Sequence, residues 1–570
     1  MVKILLIQLD RFGDNLFVVP LIKGIRNRYP DSHITVLVRR EFKDIMESYK
    51  DVDAVEVADW LELPAGMKGL DETEIIIKGY QRLKYEMRNL KESGFNLVFN
   101  LNFNKMTTLI TSILDVYEST GFTVGSDGER VTKGLWANYM GCVVQTRNYN
   151  PLHIVDVYRN FEQGLPVEDM SGFMIDKSSE EYAEKLLKES GITDSTTVIA
   201  FQPGASNRRR IWPKEKFSQL ARFLSEIGIK IVILGTNGEK DISYKIKSEN
   251  PGVIDLTGKT TFSQLAAILK RCKILISNDT GTAHLASAVG TRVIGLYMCH
   301  AYPIETGPYG RGHITISPTV DCYPCKWKDE CHYNYKCRNN IAPEDVLSVV
   351  NWVLFPDKSL NCKPENIDVN ISIFDEDGFI SYIPLIKRSL KFDDILRMIY
   401  KRIWKDMLIA NGNLHLSFAQ IHWLRETYEI EHQDLFKEKL EGVLSYVKQI
   451  ESLAEEGINK SGELISYIFA SDKRELNLIQ SGIEELKKID SIIAGIGKES
   501  EAVSPLSTFF SMQKDNITAD NPFQVLRDSS EVYKSLKLNA SRFCYLSNEL
   551  ITALFQNDRK SSEVLCSPYV

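Results

Sequence analysis

Lys273-Ile274-Leu275-Ile276-Ser277-Asn278-Asp279-Thr280-Gly281-Thr282-Ala283-His284-Leu285-Ala286-Ser287-Ala288-Val289-Gly290 is the stretch that decides the fold. It opens on a short apolar run of β type, and Ala283 to Ala288 are good helix formers closed by Gly290. The reading is strand, tight turn, helix, with Asp279, Thr280 and Gly281 at the turn. At a helix start the first amides lack intrahelical partners and the macrodipole turns its positive end outward, so such a turn suits phosphate. Gly281 lets backbone come close to that group. An ordinary capped βα turn looks the same, so the weight falls on what surrounds the stretch.

Upstream, Thr197 to Phe201 reads as a strand that leads into Gln202-Pro203-Gly204-Ala205-Ser206-Asn207-Arg208-Arg209-Arg210-Ile211-Trp212-Pro213. A helix over 214–227, a strand over Lys230 to Leu234 and the turn Gly235 to Glu239 follow, and Thr291 to Tyr297 is a later strand. The N-terminal part repeats the pattern. Residues 2–9 are a buried-type strand, Arg11 to Asn15 a turn, Leu16 to Tyr29 a helix ended by Pro30, and Ile34 to Val38 a strand. Asn96 to Leu101 and Lys105 to Leu114 add another strand and helix. The alternation predicts an α/β fold with two doubly wound, Rossmann-like halves facing a cleft. No G-x-G-x-x-G follows the first strand, so a dinucleotide fingerprint is absent, yet Gly13-Asp14 falls beyond a strand's carboxyl end, where ligands of such sheets sit.

The expected domains are 1–175, 190–355 and a mainly helical 365–570, with a connector over 151–195 that turns helical from Glu180 to Glu189. Phe355-Pro356-Asp357 and Cys362-Lys363-Pro364 mark the second linker, and a hairpin over 371–383 opens the last third. Ile395, Ile399, Ile403 and Met407 share a helix face. Phe436, Leu440, Val443, Val447, Ile450 and Ala454 form a heptad seam, read as internal bundle packing ahead of a dimer contact. Residues 498–524, rich in Ser, Asn, Asp and Pro, are expected to break the bundle, 525–556 to be helical, and the tail after Asn557 to fray.

A net charge of −7 over 570 residues supplies no basic field, which argues against nucleic acid as a partner. The apolar start is too short for a signal peptide and no apolar run reaches bilayer length, so a cytoplasmic protein is expected, with peripheral membrane contact and oligomerisation left open. Ten cysteines in so long a chain are not a disulfide scaffold. Four of them, Cys322, Cys325, Cys331 and Cys337, follow a C-x2-C-x5-C-x5-C spacing in the loop 321–338 and can surround a structural zinc or iron ion. Cys142, Cys272, Cys299, Cys362, Cys544 and Cys566 are scattered and read as packing residues.

Phe12-Gly13-Asp14 with Pro20, Val98 to Leu101, Gly204-Ala205-Ser206 with Trp212-Pro213, Asp279-Thr280-Gly281 with His284-Leu285, and Pro308-Tyr309-Gly310 come in a telling order. Over roughly residues 1–355 they resemble the heptosyltransferases of glycosyltransferase family nine. The resemblance implies a GT-B architecture and inverting transfer of heptose from ADP-heptose to an inner-core lipopolysaccharide sugar or, in some members, to protein. It nominates Asp14 as the base. Gly13, Ser206, Thr280 and Gly281 fall to the donor, with Asp279 holding the turn and His284 lining the cleft. Arg210 stands where the family usually has lysine, and its guanidinium fork suits a leaving diphosphate; the neighbouring Arg208 and Arg209 leave the register open. Glu239 would accept ribose hydroxyls. Gln8 departs from the pattern, where a basic residue is common. No organic cofactor or catalytic metal is implied, and no D-x-D stands in the cleft motifs. A UDP-sugar GT-B transferase or epimerase, and a degenerate GT-B binding scaffold with a helical interaction domain, remain as alternatives. Residues 365–570 lie outside the resemblance.

Overall fold

Strand β1 (Lys3–Ile7) buries every residue but its first, as an apolar run does when helices cover both faces of a parallel sheet. The computed structural model describes all residues except 59–71, 115, 126–127, 144, 163–169, 194, 327–329, 356, 361, 363–364, 410–413, 415–417, 432, 471–474, 520 and 556–570. Residues Met1–Ile386 form one unit and Lys387–Val570 another.

In the first unit β1 is joined by β2 (His33–Val38), β3 (Ala54–Val57), β4 (Leu97–Asn100), β5 (Glu118–Val124) and β6 (Arg130–Lys133). Their order is β3-β2-β1-β4-β5-β6, and only the β5–β6 pair is antiparallel. A second sheet takes β7 (Val198–Gln202), β8 (Lys230–Ile233), β9 (Ile254–Asp255), β10 (Ile274–Asn278), β11 (Arg292–Leu296), β12 (Ile314–Pro318), β13 (Ile367–Phe374) and β14 (Ile380–Pro384). Its order is β14-β13-β12-β11-β10-β7-β8-β9, with β7 to β12 parallel and the last hairpin antiparallel. These are the two Rossmann-like domains of a GT-B fold. In each sheet the winding reverses beside the first strand, between β1 and β4 and between β7 and β10. A crevice opens at the carboxyl ends of such strand pairs.

The second lobe's core joins strand and helix side chains from both faces, with Phe201, Trp212 and Phe217 among its fully buried aromatics. The Trp212 ring lies edge-on to Phe217, with centroids 4.9 Å apart, and its indole N–H donates to the Ile341 carbonyl at 3.1 Å. Trp212 is therefore a packing residue.

Three expectations are corrected. The helix read over Leu16 to Tyr29 is two helices, Phe12–Phe17 and Val19–Arg28, with Pro20 in the first turn of the second. Gly13 and Asp14 consequently sit inside a helix rather than in the turn read over Arg11 to Asn15. The hairpin assigned to the last third is β13–β14, an edge of the second sheet, because its Ile367, Val369 and Phe374 are buried there. Within 498–524 the chain is helical over Ser504–Asp515, where Pro505 occupies the helix start that tolerates it and Phe509 and Phe510 are buried.

The second unit is mainly helical, with helices Phe392–Ile409, Phe418–Thr427, Gln433–Ala470, Glu475–Glu499, Ser504–Asp515 and Pro522–Phe555. The heptad seam from Phe436 to Ala454 is buried, and its helix packs along Pro522–Phe555. The seam is thus internal. Among the described residues no helix is long and apolar enough to cross a membrane. Pro356, Pro364, Cys566 and the tail after Asn557 lie outside the described residues.

Candidate active site

Asn278, the last residue of β10, organises one wall of the crevice. Its side-chain amide donates to the Pro203 carbonyl at 2.7 Å while its oxygen accepts from the Trp212 backbone at 3.0 Å. The Gly204–Pro213 loop is thereby pinned across the end of β10. That choice settles the register of three consecutive arginines. Arg210 is the buried one and lines the crevice; Arg208 is exposed. The Arg210 guanidinium pairs with Asp279 and donates from Nη2 to Ser206 Oγ at 2.9 Å, and its Nε is buried without a hydrogen-bond partner among the described residues.

Helix Gly281–Ala288 begins at Thr280, whose side chain makes no cap bond and instead meets Ser277 Oγ at 2.9 Å. The opposite lobe presents the N-terminus of helix Phe12–Phe17 to this point. A Cβ on Gly281 would stand 2.3 Å from the Phe12 ring, and one on Gly13 would stand 3.0 Å from the His284 ring. The bare Cα of Gly281 therefore admits an aromatic side chain, where the sequence pattern suggested space for phosphate. Phe12 also packs on Phe262 and Phe17 on His284, with centroids 4.7 and 4.4 Å apart. Burial first, then the Arg210 charge, pushes the His284 imidazole down to about 3, so it is neutral near pH 7.

Asp14 is the third residue of its helix, and its carboxylate accepts the Arg11 backbone N–H at 3.1 Å. Burial, and secondarily the Asp10 charge, raise its pKa from 3.8 to about 6. Glu239 ends a short 3-10 turn and accepts from the Thr236 backbone at 2.7 Å. Gly204 and Gly235 leave the space its carboxylate fills, since a Cβ at either would fall within 2.9 Å of it.

Gly13, Asp14, Ser206, Glu239, Arg210, Asp279, Thr280, Gly281 and His284 all line one cavity of about 1120 Å³ between the two sheets. Gln8 does not; it is buried and accepts from the Asn102 side chain at 2.6 Å. Sequence reasoning missed Arg147, His300 and Glu305, which also line the cavity. No local pattern marks them, because Arg147 and Glu305 lie 158 positions apart and meet only in the fold.

The cysteine loop differs from the expected set. Cys299, read as a packing residue, ends near the loop with a left-handed backbone, and its thiol stands 3.7 Å from that of Cys337. It also donates to the Arg209 carbonyl at 2.9 Å. Cys331 instead accepts the Tyr335 N–H at 3.2 Å. Among the described residues no group of three or more His, Cys, Asp or Glu is arranged to hold a metal ion.

Two doubly wound lobes with a cavity at their switch points define a GT-B-like architecture. Residues 85–336 match the family described as Glycosyltransferase family 9 (heptosyltransferase), a span that takes in the Arg210 and Asp279–His284 walls and starts after Asp14. The chain is 22% identical over 320 residues to the lipopolysaccharide core heptosyltransferase OpsX of Haemophilus influenzae, covering 55% of this chain and 83% of that protein. It is 20% identical over 370 residues to lipopolysaccharide heptosyltransferase 2 of Escherichia coli K12, covering 63% and 100%. The crystal structure of a family 9 glycosyltransferase from Veillonella parvula superposes with a TM-score of 0.49 at 23% identity, covering 62% of this chain and 98% of that one.

Proposed function

We propose that this protein transfers heptose, or a related sugar, from ADP-heptose to a lipopolysaccharide-type glycan or a protein acceptor with inversion at the sugar carbon. The observation that carries the reading is that Asp14, from one lobe, shares a single cavity with the Gly281 helix start and Arg210 of the other. In this reaction Asp14 takes the proton of the acceptor hydroxyl, whose oxygen attacks the anomeric carbon from the face away from the diphosphate. The bond from that carbon to the diphosphate oxygen breaks, and ADP leaves with its new charge held by Arg210 and the amides at Thr280–Gly281. Glu239 is placed to accept ribose hydroxyls. A raised carboxyl near 6 fits a base that must be ionised at neutral pH yet strong enough to take a proton.

The test is ADP release from ADP-heptose with a panel of glycan and protein acceptors. Asp14→Asn should lose transfer by about 10²-fold or more while still binding ADP, in keeping with the usual size of general-base effects. Undiminished transfer by that variant removes Asp14 as the base. Calorimetric preference for UDP over ADP would defeat the choice of nucleotide.

A further inference from the structure

Arg147 and Glu305 form a second polar feature of the cavity wall, separate from the phosphate-facing Arg210. The Arg147 Nε donates to the two Glu305 oxygens at 3.0 and 2.8 Å, and its Nη2 donates to the same carboxylate and to the His300 carbonyl at 2.8 Å. Burial works against the charge on Arg147, but the Glu305 carboxylate outweighs it and holds the guanidinium protonated. Two of the three guanidinium nitrogens are thereby occupied. The third, Nη1, is buried with no hydrogen-bond partner among the described residues. Asp279 lies close enough to act electrostatically on both members of the pair.

Both side chains line the cavity and keep part of their surface accessible, 21% for Arg147 and 11% for Glu305. The pair as a whole is uncharged, so it has little net attraction for a diphosphate. It does offer N–H donors beside carboxylate lone pairs. A hydroxyl group, at once donor and acceptor, is the chemical partner that matches this arrangement, and vicinal hydroxyls match it twice.

We infer that Arg147 and Glu305 are a specificity subsite for the transferred sugar, binding its hydroxyls, while Arg210 and the Gly281 helix start bind the diphosphate. The inference rests on the nucleotide-sugar reading of the cavity and adds to it which wall reads the sugar. It assigns the accessible edge of the Arg147–Glu305 pair a direct contact with the sugar.

The experiment is calorimetric titration of the full chain with ADP and, separately, with ADP-heptose. Arg147→Met strands a buried carboxylate and risks misfolding, so the paired variant R147M/E305Q is measured beside it, with thermal melting as the fold check. The expected result is ADP affinity within about twofold of wild type and ADP-heptose affinity about tenfold weaker, one hydrogen-bonded contact's worth. In turnover the same variant should raise the donor KM by a similar factor. Equal weakening of ADP and ADP-heptose, or weakening of neither, overturns the inference; so does failure of both variants to melt cooperatively, which would make the pair structural. If wild type binds no ADP, the nucleotide-sugar reading falls, and the subsite with it.

Discussion

Asp14 combines two requirements that pull against each other. Desolvation in the cavity raises its pKa to about 6, which favours proton uptake but penalises the charged form. If it acts as the base, only the ionised carboxylate is active, so kcat/KM should fall about tenfold per pH unit below about 6 and level off above. A pH profile of wild type checks this, and an acid limb near 4 would contradict it. The linkage sign is also set. Because the folded-state pKa is raised, the protonated group contributes stability that is full below 3.8 and lost as pH rises through about 6. Asp14→Asn should therefore melt above wild type at pH 8 and close to it at pH 4. Arg210 illustrates a different balance: its pairing with Asp279 holds the guanidinium in place but moderates its pull on phosphate.

At the scale of elements, the site depends on two helix N-termini meeting across the crevice. Gly281 is needed there because the Phe12 ring fills the space a Cβ would take, and Gly13 gives the His284 ring its room. Gly281→Ala is favourable by helix propensity, yet it should destabilise by about 1–3 kcal/mol through overpacking. Combining it with Phe12→Leu should recover much of that loss, measured by denaturant unfolding; additive losses would show that the two residues do not compete for one space. The pairing of the β13–β14 hairpin with β12 belongs to this scale as well. From the chain alone the hairpin reads as the start of a new domain, since a linker precedes it and helices follow. Only its edge pairing, with Ile314 opposite Ile371, assigns it to the second lobe.

At the scale of the whole molecule, the cavity walls belong to Met1–Ile386, while the helical residues from Lys387 onward bury their own seam. A chain ending at Ile386 should accordingly fold and bind ADP with affinity within about threefold of the full protein. Loss of ADP binding on that truncation, with the fold retained by circular dichroism, would mean the helical unit contributes to donor binding.

The sequence by itself determined the features that depend on neighbours in the chain. Apolar runs such as Ile274 to Ile276 gave buried strands, and glycine and Asx/Thr turns gave helix starts. Nine residues picked out from the ordered motifs line one hollow. It could not determine which distant side chains meet. Arg147 finds Glu305, Cys299 joins Cys337, and Phe12 occupies the space beside Gly281, each across a long separation in the chain. Local propensity and periodicity act over a few residues, whereas these contacts follow from how two sheets twist and face one another. They were settled by packing alone.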